Sequence, residues 1–260
     1  MTNAEFIPFH ELQVRHEGHV AVVEFARPPH NYFTLDLLTG LADAFEYLDS
    51  VQDVRTTIMA SKGKSFCAGA DFNDPRGNDP LLPGMLYRAG IRLFRVRKPI
   101  IAAIQGAAVG GGLGLALTAD FRVAAKDARF VANFARLGIH PGFGLSVTLP
   151  RLIGPQQAAK LLYTGRRLKA QEAVDIGLAD MLATSDDVMD DAMAFAQEVA
   201  ASAPLAVQSI RETLRIGLAD TVETALAREA AEQEWQMRSA DFSEGVKAMT
   251  ERREPVFLGK

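Results

Sequence analysis

Runs of apolar residues near the start of the chain predict one strand followed by one helix. A Val-rich run predicts the strand over His19–Ala26, and the proline pair at 28–29 ends it because proline donates no hydrogen bond to a sheet. Leucine and phenylalanine then recur at helical spacing over Leu35–Leu48, and this pattern predicts a helix. The side chain of Thr34 or of Asp36 is suited to cap its first turn.

The alternation of strand-like and helix-like segments continues to about residue 185 and predicts an α/β fold with mainly parallel strands. The predicted elements, in chain order, are a strand at Val54–Ser61, a helix at about Leu86–Val96, a buried strand at Pro99–Gln105, a helix ending at Leu117, and short strands at Phe121–Ala125 and Arg129–Val131. Residues 72–84 are rich in proline and glycine and are predicted to form a mobile loop. From Val188 onward the chain is predicted to be almost entirely helical, packing on its own body or serving an oligomer contact.

Two glycine-centred stretches are the best candidates for chemistry, and each directly follows a strand-like run. They are residues 65–71 (SFCAGAD) and residues 106–114 (GAAVGGGLG). Each is suited to present a bare backbone N–H at the end of a strand. Two such groups converging on one point would form an oxyanion hole, which stabilises the negative charge that collects on a thioester oxygen.

The spacing of these glycines disagrees with two common nucleotide-binding motifs. A dinucleotide-binding fingerprint that starts at Gly110 needs a glycine where Leu115 stands, and a phosphate-binding loop that ends near Gly63 needs one at Ile58. The glycines at 110–112 would also allow a helix to pack closely on a strand without any role in chemistry. Because there are two such stretches and each directly follows a strand-like run, an oxyanion hole is favoured over close packing alone.

Composition and charge narrow the class of protein. The 260 residues suffice for one large domain, and the formal net charge of −4 gives no indication of nucleic-acid binding. No apolar run approaches the roughly 20 residues that span a bilayer, and the N-terminal residues lack the pattern of a signal peptide. The five histidines are scattered, so we expect no metal site. The chain has a single cysteine, Cys67, which fits a reducing compartment, so we expect a cytoplasmic protein. We interpret Cys67 as a small buried apolar residue rather than a nucleophile.

The order and spacing of many short motifs resemble the crotonase superfamily, that is, the enoyl-CoA hydratase/isomerase family, over nearly the whole chain. The matching pieces are Arg27-Pro28 with Asn31, residues 66–71, Lys98-Pro99, residues 110–112, Ala119-Asp120, Leu137-Gly138, Pro141-Gly142, Thr164-Gly165, residues 241–245 and residues 255–257. The resemblance implies a spiral of strand–strand–helix turns with a C-terminal helical trimerisation region. It divides the chain into residues 1–200, a core that binds acyl-CoA, and residues 201–260, a helical oligomerisation region of a homotrimer or hexamer.

The resemblance also implies site residues, and two of them depart from the hydratase pattern. By its motifs, Ala70 and Gly111 would donate the two N–H groups of the oxyanion hole. Hydratases of the family use two glutamates, but those positions here are Gly114 and Phe134, neither of which can take a proton. Because a positioned acid or base contributes about 10²- to 10⁴-fold in rate, true hydration is doubtful.

Further residues follow from the same resemblance. Phe72 and Gly110, together with Gly114 and Phe134, are expected to contact the substrate, and Arg252 matches a position that can reach a neighbour's coenzyme. His140 lies in a loop where other branches of the superfamily place a catalytic side chain, although a histidine bonded to the neighbouring backbone is the favoured interpretation. Asp71 is either a second acid or, in the favoured interpretation, an organiser of its turn.

Two hypotheses of function remain open at this point. The first is an enzyme that acts on an acyl-CoA through a thioester enolate, by hydration, isomerisation, decarboxylation or thioester hydrolysis. The second is a family member that binds acyl-CoA without catalysis. Coenzyme A is part of the substrate in both cases, so no separate cofactor is expected. Turnover of a panel of acyl-CoAs beside a binding measurement separates the two. Phe134 and Gly114 also suggest an apolar pocket with extra room at one side.

Overall fold

The computed structural model describes residues 12–71 and 79–260, which form strands and helices in alternation. The strands are β1 (Leu12–Glu17), β2 (Val20–Phe25), β3 (Thr56–Ser61), β4 (Ser65–Cys67), β5 (Ile100–Ile104), β6 (Ala107–Val109), β7 (Phe121–Ala124), β8 (Arg129–Val131), β9 (Arg167–Lys169) and β10 (Met181–Leu182). The helices are α1 (Leu35–Ser50), α2 (Leu82–Arg95), α3 (Gly111–Ala116), α4 (Leu145–Thr164), α5 (Ala170–Asp175), α6 (Val188–Ala200), α7 (Pro204–Leu214), α8 (Leu218–Gln236) and α9 (Ala240–Glu251), and a 3₁₀ helix spans Phe134–Leu137.

The strands form two sheets, and successive pairs of strands divide between them. In the described residues one sheet has the order β1-β2-β3-β5-β7-β10 and the other the order β4-β6-β8-β9. Each of the pairs β3–β4, β5–β6 and β7–β8 contributes its first strand to the first sheet and its second strand to the second, and a helix follows each pair. This winding is the spiral of strand–strand–helix turns that the resemblance implied, and the prediction of the fold class is confirmed.

The inner strands of the larger sheet are buried on both faces, which explains their continuous apolar runs. β2, β3, β5 and β7 pair in parallel, with Val22 opposite Ile58 and Ile58 opposite Ile101. These three side chains face α6, and alternate residues such as Met59 face the main core. A strand covered in this way needs no polar face, so the pattern in the sequence is apolar throughout.

Most of the predicted elements are confirmed, and the structure also shows which cap α1 uses and where α2 begins. α1 begins at Leu35, and the Thr34 hydroxyl accepts a hydrogen bond from the Leu37 N–H, so Thr34 rather than Asp36 is its cap. α2 begins at Leu82, inside the segment predicted to be a loop, because Pro83 stands in the first turn, where a missing N–H costs nothing. The rest of the predicted loop, residues 72–78, lies outside the described residues. β1 was not predicted.

The C-terminal helices pack on the body of their own chain. Asp120, at the start of β7, holds α7 by accepting hydrogen bonds from Arg211 Nε at 2.8 Å and Arg215 Nη1 at 2.9 Å. α8 packs on α2 and α4 and buries Leu226, whereas Leu214 of α7 remains 67% exposed. The body of the chain therefore covers Leu226 but leaves Leu214 open to solvent.

Asn31 joins the end of the first predicted strand to the first glycine-centred stretch. It is fully buried and has a φ of 53°. Its Nδ2 donates to Lys62 O at 2.6 Å and Ser65 O at 2.7 Å, and its Oδ1 accepts from Arg27 N at 2.7 Å. Asparagine tolerates the left-handed backbone better than most residues. One side chain therefore fixes the start of β4 and the segment that leads to Gly69.

We predict that Asn31→Ala lowers the free energy of unfolding by about 2–4 kcal/mol, because it removes three hydrogen bonds and takes this partner from the Lys62 carbonyl and the Arg27 N–H, whereas Ser65 O keeps its bond from Gln105 Nε2. The matched variant Asn31→Gly loses the same hydrogen bonds but accommodates the positive φ, so it should be more stable than the alanine variant by about 1 kcal/mol. Urea unfolding followed by circular dichroism measures both. Two variants as stable as the parent chain would contradict this role.

Candidate active site

The two glycine-centred stretches meet at the ends of β4 and β6, where their backbones touch. A Cβ on Gly112 would lie 2.0 Å from the Cys67 carbonyl oxygen, and a Cβ on Gly69 would lie 3.1 Å from the Gly111 nitrogen. No larger residue fits at Gly112 without separating the two stretches. Gly69 also has a φ of 78°, which L-residues rarely adopt. The convergence that the sequence pattern predicted is therefore a direct backbone contact.

Within the described part of the chain, neither the Ala70 N–H nor the Gly111 N–H donates a hydrogen bond, whereas the neighbouring Gly110 N–H donates to Val131 O at 2.8 Å. Gly111 is the first residue of α3, and N–H groups in the first turn of a helix have no partner within the helix. Two free donors one backbone contact apart form a geometry that can bind a single oxygen atom.

Both donors border a cavity of about 200 Å³ with a mainly apolar wall. Its wall includes Phe33, Leu86, Phe134, Ile139, Met237 and Met249. Among the described residues that line it, the polar side chains are those of Tyr32, Tyr87, Asn133 and Gln233, and no carboxylate or imidazole is present. The predicted site residues Ala70, Gly110, Gly111 and Phe134 all lie at this wall, and Gly114 does not.

Gly114 provides none of the extra room expected at one side of the pocket. A Cβ at this position would lie 2.5 Å from the Cβ of Phe143, so Phe143 already fills the space beside Gly114. Phe143 is buried, has a φ of 58° and packs against Phe33 with ring centroids 5.6 Å apart. A glutamate introduced at Gly114 would overlap this aromatic pair instead of entering the cavity.

The family model for enoyl-CoA hydratase/isomerase matches residues 15–260, which include both glycine-centred stretches and every residue of the described cavity wall. The chain belongs to the enoyl-CoA hydratase/isomerase family. The resemblance to the crotonase superfamily is thereby confirmed.

Individual relatives within the enoyl-CoA hydratase/isomerase family cover nearly the full chain. The short-chain-enoyl-CoA hydratase of Clostridium acetobutylicum is 32% identical over 243 residues, which are 91% of this chain and 93% of that protein. The 1,2-epoxyphenylacetyl-CoA isomerase of Escherichia coli is 33% identical over 239 residues, 88% of this chain and 91% of that protein. The crystal structure of an enoyl-CoA hydratase/isomerase from Pseudoalteromonas atlantica matches with a TM-score of 0.85 at 29% identity, covering 95% of this chain and 100% of that one. These relatives are named for different reactions, so membership of the family does not fix the reaction.

His140 lies outside the wall of the cavity, and its contacts are those of a loop residue. Its ring Nδ1 donates to the Pro141 carbonyl oxygen at 2.8 Å, and its backbone N–H donates to Gln236 Oε1. This is the backbone-bonded arrangement favoured on the sequence. The proton-moving role considered for His140 therefore has no support from its position.

The remaining expected site residues are not gathered at the cavity. Asp71 follows the donor Ala70 but does not line the cavity. Burial and, to a smaller extent, the charge of Asp71 raise the pKa of the Tyr32 phenol above its ordinary value. Arg252 ends α9 on the exposed surface, with a φ of 56°. Phe72 lies outside the described residues. For Arg252, contact with a neighbour's coenzyme stays a prediction.

Helix α8 supplies site residues that the sequence analysis missed. Gln233 lines the cavity, accepts a hydrogen bond from the Tyr87 hydroxyl at 2.7 Å and donates to the His140 carbonyl oxygen at 2.7 Å. One turn earlier, Glu229 accepts from Gly144 N at 2.8 Å and from the Ser146 hydroxyl at 2.5 Å. Burial raises the pKa of Glu229 above its usual value, while these bonds act in the opposite direction. Glu229 and Gln233 are two polar residues one turn apart on an otherwise apolar face of α8. This spacing is the signal in the sequence that could have identified their hydrogen-bonding role.

Cys67 behaves as the sequence predicted, with a fully buried side chain. Burial raises the pKa of its thiol to about 12, so it is not a nucleophile at neutral pH.

Among the described residues there is no group of three or more His, Cys, Asp or Glu residues arranged to hold a metal ion. In the same part of the chain, no helix combines the length and the apolar character that crossing a bilayer requires.

Proposed function

We propose that this member of the enoyl-CoA hydratase/isomerase family binds an acyl-CoA thioester and stabilises its enolate with the N–H groups of Ala70 and Gly111. The observation that carries the proposal is the pair of unpaired donors at the edge of an apolar cavity. Each donor of an oxyanion hole is worth about 3 kcal/mol, or roughly 10²-fold in rate. Because both are backbone groups, the hole does not depend on the side chains that this chain has replaced.

The reaction that we propose is proton transfer along the acyl chain, as in double-bond isomerisation, rather than addition of water. Water addition needs acid–base groups that position the water and move two protons. Phe134 contributes an apolar ring to the cavity, and Gly114 is packed against Phe143. Isomerisation needs fewer acid–base groups than hydration, and its enolate intermediate needs the same two N–H donors. The described cavity wall supplies no carboxylate or imidazole as the base, so turnover of a 3-enoyl-CoA would point to a base outside that wall.

Acetoacetyl-CoA provides a direct test of the oxyanion hole, because its enolate absorbs in the ultraviolet and is formed without turnover. We expect binding to lower the apparent pKa for enolate formation by about 2 units, which corresponds to about 3 kcal/mol. Because the apparent pKa falls on binding, the enolate absorbance of the bound ligand should rise at a lower pH than that of the free ligand. A spectrophotometric pH titration with excess protein measures both.

A Cβ on Gly111 would lie 2.4 Å from the ring of Phe33. The variants for this test therefore change Phe33 as well as Gly111. Phe33→Ala removes the overlap, and Phe33→Ala with Gly111→Pro also removes one N–H donor. Proline is tolerated at the first position of a helix, so the double variant should fold. The downward pKa shift should persist in Phe33→Ala and shrink in the double variant. An equal shift in both would contradict the assignment of Gly111.

Binding without catalysis is the second candidate, and the absence of carboxylates and imidazoles from the described cavity wall favours it. We expect the protein to hydrate crotonyl-CoA several orders of magnitude more slowly than the hundreds of turnovers per second of a capable enzyme. The loss of enoyl absorbance measures this rate. Hundreds of turnovers per second would show that a base is present and would overturn our account of Gly114 and Phe134.

The response of His140→Ala separates the two roles considered for His140. Because its ring is bonded to the backbone outside the cavity, we expect the variant to keep whatever enolate or isomerase activity the parent chain has, within a few-fold. A panel of enoyl-, 3-hydroxyacyl- and malonyl-type CoA thioesters supplies the substrates. A collapse of activity in a folded variant would transfer the proton-moving role to His140.

We also propose that the chain assembles as a homotrimer or hexamer through its C-terminal helices. Apolar side chains on and after α7 are exposed in the single chain, with Leu214 at 67% and Ile216 at 76%. Burying such side chains between chains would stabilise the assembly. Light scattering at micromolar concentration should find three or six copies, and a monomer would contradict the proposal.

A further inference from the structure

Among the described residues the Asn133 side chain has no hydrogen-bond partner, although it stands where asparagine usually has one. It occupies the N-cap position of the 3₁₀ helix Phe134–Leu137, and asparagine is among the preferred residues at N-caps because its side chain accepts from a backbone N–H. Here the cap bond is not formed. Within the described part of the chain, no group competes with a ligand for this amide.

The free amide lies beside the oxyanion hole. Asn133 lines the cavity, and its Oδ1 is 3.2 Å from the position of a Cβ on Gly110, the residue before the donor Gly111. Standard bond lengths then place Oδ1 no farther than about 7 Å from the Gly111 nitrogen. Gly110 has no side chain between the amide and the cavity. The amide and the N–H donor are thus close enough to contact neighbouring parts of one small acyl group.

The Asn133 amide and C3 of a bound acyl group fall within the same radius of the Gly111 nitrogen. A hydrogen bond from Gly111 to the thioester oxygen, the carbonyl bond and the two bonds to C3 add up to at most about 7 Å, and Oδ1 lies within a bound of the same size. An oxygen on C3 can therefore come within hydrogen-bond reach of the amide. Because a carboxamide both donates and accepts, it suits a hydroxyl or a carbonyl oxygen there. A cavity wall that is otherwise mainly apolar gives that contact a large effect on selectivity.

We infer that Asn133 is a specificity-determining residue that binds an oxygen on C3 of the acyl group, so that the preferred ligands are 3-hydroxyacyl- and 3-oxoacyl-CoA thioesters. The inference rests on the proposed function, since it requires the thioester to sit at Ala70 and Gly111. Tyr32, whose phenol also lacks a hydrogen-bond partner among the described residues, lies on the same wall and is not required for it. The neutral amide binds the oxygen without taking a proton, which agrees with a site poor in acid–base groups.

Calorimetric titration with three ligands of equal chain length tests the inference on the full chain. Butyryl-CoA has no oxygen on C3, 3-hydroxybutyryl-CoA has a hydroxyl, and acetoacetyl-CoA has a carbonyl. We expect both oxygenated ligands to bind about tenfold more tightly than butyryl-CoA. Asn133→Ala should remove this preference while leaving the affinity for butyryl-CoA within about twofold.

Two further variants make the result specific to the amide. Asn133→Asp keeps the size and the accepting oxygens but loses the donor, so it should retain the preference for 3-hydroxybutyryl-CoA and lose that for acetoacetyl-CoA. Val109→Ala trims an apolar residue of the same wall and should change the affinity for all three ligands alike. Circular dichroism confirms that each variant is folded.

The outcomes separate this inference from the function on which it rests. Equal affinity for the three ligands in the parent chain, or a preference that survives Asn133→Ala, would overturn the role of Asn133 and leave acyl-CoA binding intact. Failure of all three ligands to bind would overturn the proposed function itself. A preference for the oxygenated ligands that Asn133→Ala abolishes supports both.

Discussion

The site depends on the close approach of two backbone segments, which only glycine permits. A Cβ on Gly106 would lie 2.0 Å from the Lys64 carbonyl oxygen, and one on Gly112 would lie 2.0 Å from that of Cys67. These two contacts hold successive turns of the spiral against each other at both ends of β6. Because the overlaps involve backbone atoms, a larger side chain could not be accommodated by a change of rotamer. The convergence of Ala70 and Gly111 follows from this packing rather than from any catalytic side chain.

The part of the cavity wall around Gln233 has a different origin, since it is held by polar contacts from α8. Gln233 links the Tyr87 hydroxyl to the His140 carbonyl oxygen, and Glu229 fixes the backbone at Gly144. A Cβ on Gly142 would lie 1.8 Å from the Tyr87 hydroxyl oxygen. Only glycine at this position leaves room for the hydroxyl of Tyr87. Burial also raises the pKa of Tyr87 and keeps it a neutral hydrogen-bond donor. One side of the cavity is thus built from close backbone packing and the other from a buried hydrogen-bond network.

Local patterns in the sequence were enough to predict most of the elements and the presence of an apolar pocket near the glycine-centred stretches, but not how that pocket is filled. The apolar spacing of α1 and the cap at Thr34 are local properties, and so are the glycines that end β4 and begin α3. The occupation of the space beside Gly114 is a tertiary property, because Phe143 reaches it from 29 positions away in the chain with an uncommon positive φ. The free amide of Asn133 is equally invisible in the sequence, where an asparagine before a short helix predicts an ordinary cap.

The cavity wall combines residues from the first half of the chain with residues that are synthesised last. Ala70 and Gly111 lie in the first half of the 260 residues, whereas Gln233, Met237 and Met249 close the same cavity from the last part of the chain. A nascent chain therefore contains both glycine-centred stretches long before the residues that complete the cavity wall are made. A ligand that binds only the finished cavity would stabilise only chains that have folded to their end.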